Sequence, residues 1–295
     1  MRWQDMRRSE NVEDRRGQGP ARGGGGFGGG MRIGLGGLVI ALIASFLFGI
    51  NPLEILTGMS SGPAPAPGRP PPGYGPQVQP GTPAAPKQGD TAGAMMQAVL
   101  GDTEEVWLAV FEAQGWGKYP KPNLVLFDGR VASACGLASA AVGPFYCPSD
   151  RKVYLDTAFF GQLAQRFGAP GDFAAAYVVA HEIGHHVQNA LGVMQKLGPR
   201  PDNETQVRLE LQADCFAGVW GFYAMKRKLL EPGDLEEGLR AAAAVGDDMI
   251  MKRTQGYVVP DAFTHGSAQQ RQRWFRQGLA TGDPQQCDTF GVRQP

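Results

Sequence analysis

"AAAYVVAHEIGHHVQNAL", residues 174–191, holds three of the four histidines of a 295-residue chain within six positions. His181 and His185 stand four residues apart, and Glu182 directly follows the first. On an α-helix, residues i and i+4 share a face, so both imidazoles project the same way. Their nitrogens can then reach one tetrahedral ion at about 2.0–2.1 Å. Glu182 lies about 100° round the helix from His181, beside such an ion and not aimed at it. From there it can take a proton from an attacking water, which is what the H-E-x-x-H spacing asks of it. Ala176, Val179, Ala180, Ile183, Val187 and Ala190 lie mainly on the other faces. A helix apolar on most sides is a buried one, and buried histidines need partners. His186 points about 100° away from His185 and cannot share the ion, so it is read as a packing or supporting residue.

A motif of three fixed residues in five arises by chance about once in a hundred chains of this length, so a third ligand has to be found. One class of zinc peptidase takes a histidine six residues after the second, with a glycine between them. Here those positions are Leu191 and Gln188, which excludes that arrangement. The other class takes a glutamate from a later helix. "NETQVRLELQADCFAGVWGFYAMKRKLL", 203–230, is such a helix, with Glu210 and Asp214 on one face and Leu211, Phe216, Val219, Trp220 and Tyr223 making it largely apolar. Glu210 is assigned as third ligand. Asp214, one turn on, is placed to accept from the far nitrogen of a ligand histidine and fix its tautomer. Asp202 and Glu204 sit at the helix start, where acids serve as caps.

The rest of the chain divides by composition. Residues 1–32 carry seven Arg against four Asp and Glu and end in a glycine run; they read as a disordered cytoplasmic tail. Residues 33–50, "IGLGGLVIALIASFLFGI", contain no charge, and at ~1.5 Å per residue their length just matches a bilayer core. They read as an uncleaved transmembrane anchor. The preceding arginines put the N-terminus in the cytoplasm and the remainder outside, in the periplasm or beyond. Residues 51–93 form a linker with ten prolines between 57 and 93. Residues 94–295 form the folded domain. Strand-like pieces such as "NLVLF" and "KVYLD" come early and helices come late, including 171–191, about 204–230, about 234–250 and about 267–279. This order predicts an α+β domain. A net charge of +0 leaves nothing for a bulk electrostatic partner such as nucleic acid.

All four cysteines fall in the part placed outside the cytoplasm. Four cysteines allow three pairings. Cys135 and Cys147 bracket a short glycine-containing stretch, and Cys215–Cys287 ties the third-ligand helix to the C-terminal region. No C-x-x-C exists, so a zinc ribbon is excluded.

"HEIGHHVQ", "ELQADCFAG", "GPFYCPSDRKVYLD" and "FTHGSAQQRQRWFRQG" together resemble the bacterial neutral zinc metallopeptidases and, more widely, the gluzincins, whose ligands are His, His and Glu. The resemblance implies a zincin-like fold, a Zn2+ cofactor and a peptide or protein substrate held along an antiparallel edge strand, with 152–156 the candidate for that strand. It implies His181, His185 and Glu210 as ligands, Glu182 as base and Asp214 behind them. "THGSAQQR" is similar to the His-x5-Arg segment of related membrane-associated gluzincins. That likeness implies a catalytic His265 that supports the transition state, with Tyr154, Tyr177 and Tyr257 as reserves. Arg271 is then a supporting residue or a clamp on substrate. The reading is a membrane-anchored, extracytoplasmic zinc endopeptidase. Its rival is a catalytically inactive zinc domain that binds peptides or envelope partners in the same cleft. The presence of Glu182 speaks against the rival.

Overall fold

The apolar runs around Leu124 and Val153 become the inner strands of a four-stranded sheet in the computed structural model, which describes residues 1–17, 89–140, 143–198 and 201–295. The strands are β1 (Val12–Asp14), β2 (Asn123–Phe127), β5 (Phe145–Cys147) and β6 (Lys152–Asp156), in the order β1-β2-β6-β5. β1 and β6 both run parallel to β2, and β5 runs antiparallel to β6. A separate hairpin joins β3 (Arg130–Ser133) to β4 (Gly136–Ser139). The expected substrate strand, 152–156, is therefore corrected. β6 has a neighbour on each side and four consecutive buried residues, the signature of an inner strand. The edge next to it is β5.

A second expectation fails at the other edge. Residues 1–17 are folded, and they build onto the domain. Met1, Trp3, Met6 and Val12 are buried, and β1 registers Val12 against Leu124. The composition of 1–32 as a block concealed a spaced set of apolar residues whose polar neighbours find partners. Glu104, itself buried, accepts from Ser9 Oγ (2.6 Å), Asn11 Nδ2 (2.7 Å) and Arg7 Nη2 (2.6 Å). The Met1 amino group donates to Asp172 Oδ1 (2.7 Å) and Asp234 Oδ1 (3.2 Å). Residues 18–32, the apolar run 33–50 and the linker through 88 lie outside the described residues. Among those described, no helix is long and apolar enough to cross a membrane.

Helices supply the rest: α1 (Thr91–Ala113), α2 (Ala158–Gln165), α3 (Asp172–Ala190), α4 (Val193–Leu197), α5 (Asn203–Lys226), α6 (Asp234–Ala244), α7 (Asp247–Thr254) and α8 (Ala268–Thr281). The single helix expected over 234–250 is two. Gly246 has extended backbone and caps α7, whose first turn carries Asp247 and Asp248. α3 is buried along nearly its whole length and lies against α5. The two helices meet at Gly184, where a Cβ would stand 2.8 Å from the Ala213 carbonyl oxygen. α5 and α8 meet through Gly218 and Gly278, where a Cβ on either glycine would fall on the other helix's backbone. These bare contacts bring side chains from three helices to one point. Disulfides join Cys135 to Cys147 and Cys215 to Cys287, the expected pairing.

Candidate metal centre

His181 and His185 project from one face of α3, and Glu210 reaches them from α5. His181 Nε2 lies 3.1 Å from Glu210 Oε2, and His185 Nε2 lies 3.4 Å from Glu210 Oε1. Ligand bonds of ~2.0–2.1 Å at tetrahedral angles set adjacent donors ~3.3–3.4 Å apart; these separations are near that value, and one donor atom from each of the three residues lies within 4.8 Å of the others.

The far sides of the imidazoles decide what the near sides offer. His181 Nδ1 is 2.9 Å from Asp214 Oδ1, an oxygen that can only accept. The proton therefore sits on Nδ1, and Nε2 turns a lone pair inward. His185 Nδ1 is 2.9 Å from Gln188 Oε1. The Gln188 amide nitrogen donates to Leu209 O (2.7 Å) and Gln212 Oε1 (3.1 Å), which leaves its oxygen to accept from His185. With the Nδ1 protons held on the far sides, the two Nε2 atoms and the Glu210 carboxylate face a common point, where only a proton or a metal cation can sit between them. Without a metal, burial pushes the His181 imidazolium down while Asp214 and Glu210 push it up, and the balance stands at about 9. For Glu210, burial pushes the carboxyl up, but His185, His265 and His181 overcome this and hold it well below the usual range. The cavity is built to hold positive charge, and the residues present fit a zinc ion.

Glu182 is buried beside the histidines, and among the described residues its carboxylate makes no hydrogen bond. Burial pushes its carboxyl up against the opposing pull of His185 and His181. A carboxylate with a raised pKa and free oxygens is suited to accept a proton from water.

Asp214 is fully buried, and it carries more than the His181 contact. Arg271 donates to it through Nε (2.8 Å) and Nη2 (3.0 Å), and the Tyr177 hydroxyl donates to Oδ1 at 2.5 Å. Arg271 also donates to Val245 O (3.2 Å) and is itself buried. It supports Asp214 from within the protein, which removes the alternative of a clamp on substrate. The reserve tyrosines are also placed elsewhere. Tyr177 is held behind His181, the Tyr154 hydroxyl donates to Asp150 (2.7 Å), and Tyr257 is an exposed surface residue.

His265 sits on the turn between α7 and α8. Asp247 Oδ2 accepts the backbone N–H groups of Thr264 (2.7 Å), His265 (2.7 Å) and Gly266 (3.1 Å), while Oδ1 faces His265 Nδ1 at 3.1 Å. Its Nε2 has no partner among the described residues. Burial pushes the imidazolium down, but Glu210 and Asp247 raise it overall, so His265 lies within the field of the Glu210 carboxylate. His186 points elsewhere. Its Nε2–H donates to Pro120 O, its Nδ1 accepts from the Tyr146 hydroxyl (3.1 Å), and burial lowers its pKa to about 4. It is a neutral packing residue.

Gln188 and Asp247 were missed by sequence reasoning. In the sequence Gln188 shows only as the wrong residue for a different ligand pattern. Asp247 falls inside the single helix expected over 234–250, although Gly246 followed by two acids is a helix-start signal. Among the described residues a second acidic group, Asp172, Asp234 and Glu237, could also hold a cation, but its first two carboxylates take the Met1 amino group.

A family model described as "Putative neutral zinc metallopeptidase" matches residues 1–290, and the chain belongs to that family. The match includes the folded N-terminal segment. The chain is 44% identical over 303 aligned positions to "Uncharacterized protein YpfJ" of Escherichia coli K12, covering 99% of each. It is 51% identical over 187 positions to "Uncharacterized protein Rv2575" of Mycobacterium tuberculosis, covering 59% of this chain and 64% of that one. No solved structure matches.

Proposed function

We propose that this member of the family is a zinc-dependent endopeptidase whose chemistry is carried by His181, His185, Glu210, Glu182 and His265. The observation that carries this reading is the meeting of His181 Nε2, His185 Nε2 and the Glu210 carboxylate, with donors within 4.8 Å of one another, beside a buried carboxylate, Glu182, that makes no hydrogen bond among the described residues. Bound zinc supplies Lewis-acid polarisation of the scissile carbonyl and makes the attacking water more acidic. Glu182 takes the proton of that water and delivers it to the leaving amine. His265, as the imidazolium that Glu210 and Asp247 favour, donates from Nε2 to the oxyanion that develops on the carbonyl, while Asp247 holds Nδ1–H and so aims the ring. Asp214, with Arg271 and Tyr177 behind it, and Gln188 hold the two ligand imidazoles in the tautomer that presents Nε2.

In a zincin-like cleft an extended peptide lies along a sheet edge beside the metal helix. β5 is that edge, and Tyr146 on it is tied to His186 and Asn189 of α3 (3.1 and 2.8 Å). The two disulfides support a compartment outside the cytoplasm, and the apolar run 33–50 supports attachment to a membrane. The test is cleavage of a diverse peptide library by the full chain with and without a chelator. Cleavage that chelator abolishes and zinc restores is expected. A zinc-loaded protein that cuts nothing overturns the peptidase reading.

A further inference from the structure

Residues 1–17 and the domain that begins at residue 89 are separated in sequence by the one long apolar run of the chain, yet they are joined in one fold. The joint is made along its whole length. Arg2 N donates to Leu229 O (2.8 Å), and Ser9 N donates to Gln97 O (3.0 Å). The strap backbone crosses α1 at Gly101, where any Cβ would fall on the Arg7 carbonyl. Leu124 N donates to Asn11 O (2.9 Å) and Arg15 N to Leu126 O (2.8 Å), so β1 is hydrogen-bonded into the sheet from both sides of its register. The side chain of Glu13 bridges across the sheet to Lys152 on β6. At its end, Gly17 N donates to Asp128 Oδ2 (2.8 Å), and the Arg16 guanidinium bonds Asp90, the residue that caps α1. The point where the chain leaves the domain and the point where it returns are in direct contact.

A bilayer core is ~30 Å thick, and two residues in hydrogen-bond contact cannot stand on its opposite faces. From these contacts we infer that residues 1–17 and residues 90–295 lie on the same side of any membrane the chain touches. A single crossing between the two segments, with the N-terminus in the cytoplasm and the metal centre outside, is incompatible with these contacts. The alternative arrangement strips Glu104 of Ser9, Asn11 and Arg7 and exposes Trp3, Met6 and Val12.

The test uses two full-length variants, each with one added surface cysteine: Arg8→Cys on the strap and Glu112→Cys at the end of α1. Both positions are exposed, and the four native cysteines are paired. Intact cells are treated with a membrane-impermeant maleimide, and labelling is compared with that after permeabilisation. Equal behaviour of the two variants is the expected result. Labelling of both puts the whole fold outside. Protection of both keeps the shared side but moves it to the cytoplasm, against the compartment proposed above. Labelling of Glu112→Cys with protection of Arg8→Cys overturns the inference. The readout involves neither zinc nor hydrolysis, so its failure leaves the peptidase reading standing.

Discussion

Gly184, the fourth residue of the H-E-x-x-H run, has no metal-binding atom, yet its replacement by alanine is expected to damage the metal centre. The added Cβ meets the Ala213 carbonyl oxygen at 2.8 Å, its Cα at 2.9 Å and its Cβ at 3.1 Å. Comfortable contact begins near ~3.5 Å, so α3 and α5 must part by roughly half an ångström. His181 and His185 ride on one helix and Glu210 on the other, with its two carboxylate oxygens at 3.1 and 3.4 Å from their Nε2 atoms, near the spacing a zinc ion needs. Metal sites tolerate about ±0.2 Å, so this parting is large on the scale that matters. We expect zinc affinity to fall ~10–100-fold, as when a supporting contact of a ligand is lost. Stability should respond differently. Alanine gains ~1 kcal/mol over glycine in a helix interior, which offsets much of the ~1–3 kcal/mol of overpacking. The assay is competition for zinc against a chromophoric chelator, alongside thermal unfolding of metal-free protein. Gly161→Ala on α2 is the control, since its Cβ has nothing within 4 Å and should leave zinc binding alone. Affinity of Gly184→Ala within twofold of wild type refutes the reasoning.

Glu210→Ala should lose tight zinc, since two histidines remain; metal content by mass spectrometry after dialysis checks this, and stoichiometric zinc means another residue is the third ligand. His265→Ala should keep zinc and KM while kcat falls ~10²–10³-fold, the cost of one oxyanion donor; an unchanged kcat reduces His265 to a turn residue. Acid should release the N-terminal strap. Burial pushes Glu104 up, but Ser9, Asn11 and Arg7 bring it below its ordinary value, and Lys152 and Arg15 do the same for Glu13 against burial. A lowered folded pKa means this stability is present above the unfolded carboxylate value of ~4.3 and is lost as pH falls through the folded one. Amide exchange of residues 2–15 should therefore accelerate below about pH 4, earlier than α3; equal protection of both at that pH contradicts the ionic anchoring.

The site was legible because its demands are local. His181, Glu182 and His185 are fixed by helical spacing, and Glu210 and Asp214 repeat that spacing on a second apolar helix. The cysteine pairs followed from position along the chain. What escaped was tertiary. Nothing in "VEDRR" says that its partner is Leu124 on β2, because a strand of three residues carries almost no periodicity, and its arginines and acids look like solvated charge until Glu104, Lys152 and Asp90 are placed beside them. The inner position of β6 depends on β2 and β5 taking its two flanks in the sheet, which the sequence of 152–156 alone does not reveal beyond its run of buried residues. Gln188 shows the same limit at the site itself, since its role appears only when Leu209 and Gln212 claim its amide nitrogen.

The central claim is that Glu182 is a base at a metal held by other residues. Glu182→Gln keeps the size and burial of the side chain and removes its ability to take a proton. The decisive measurement is zinc content and peptide hydrolysis on the same preparations of wild type and Glu182→Gln. The account predicts equal, stoichiometric zinc in both and hydrolysis in the wild type alone. Equal hydrolysis by the two proteins, or loss of zinc from the variant, contradicts it.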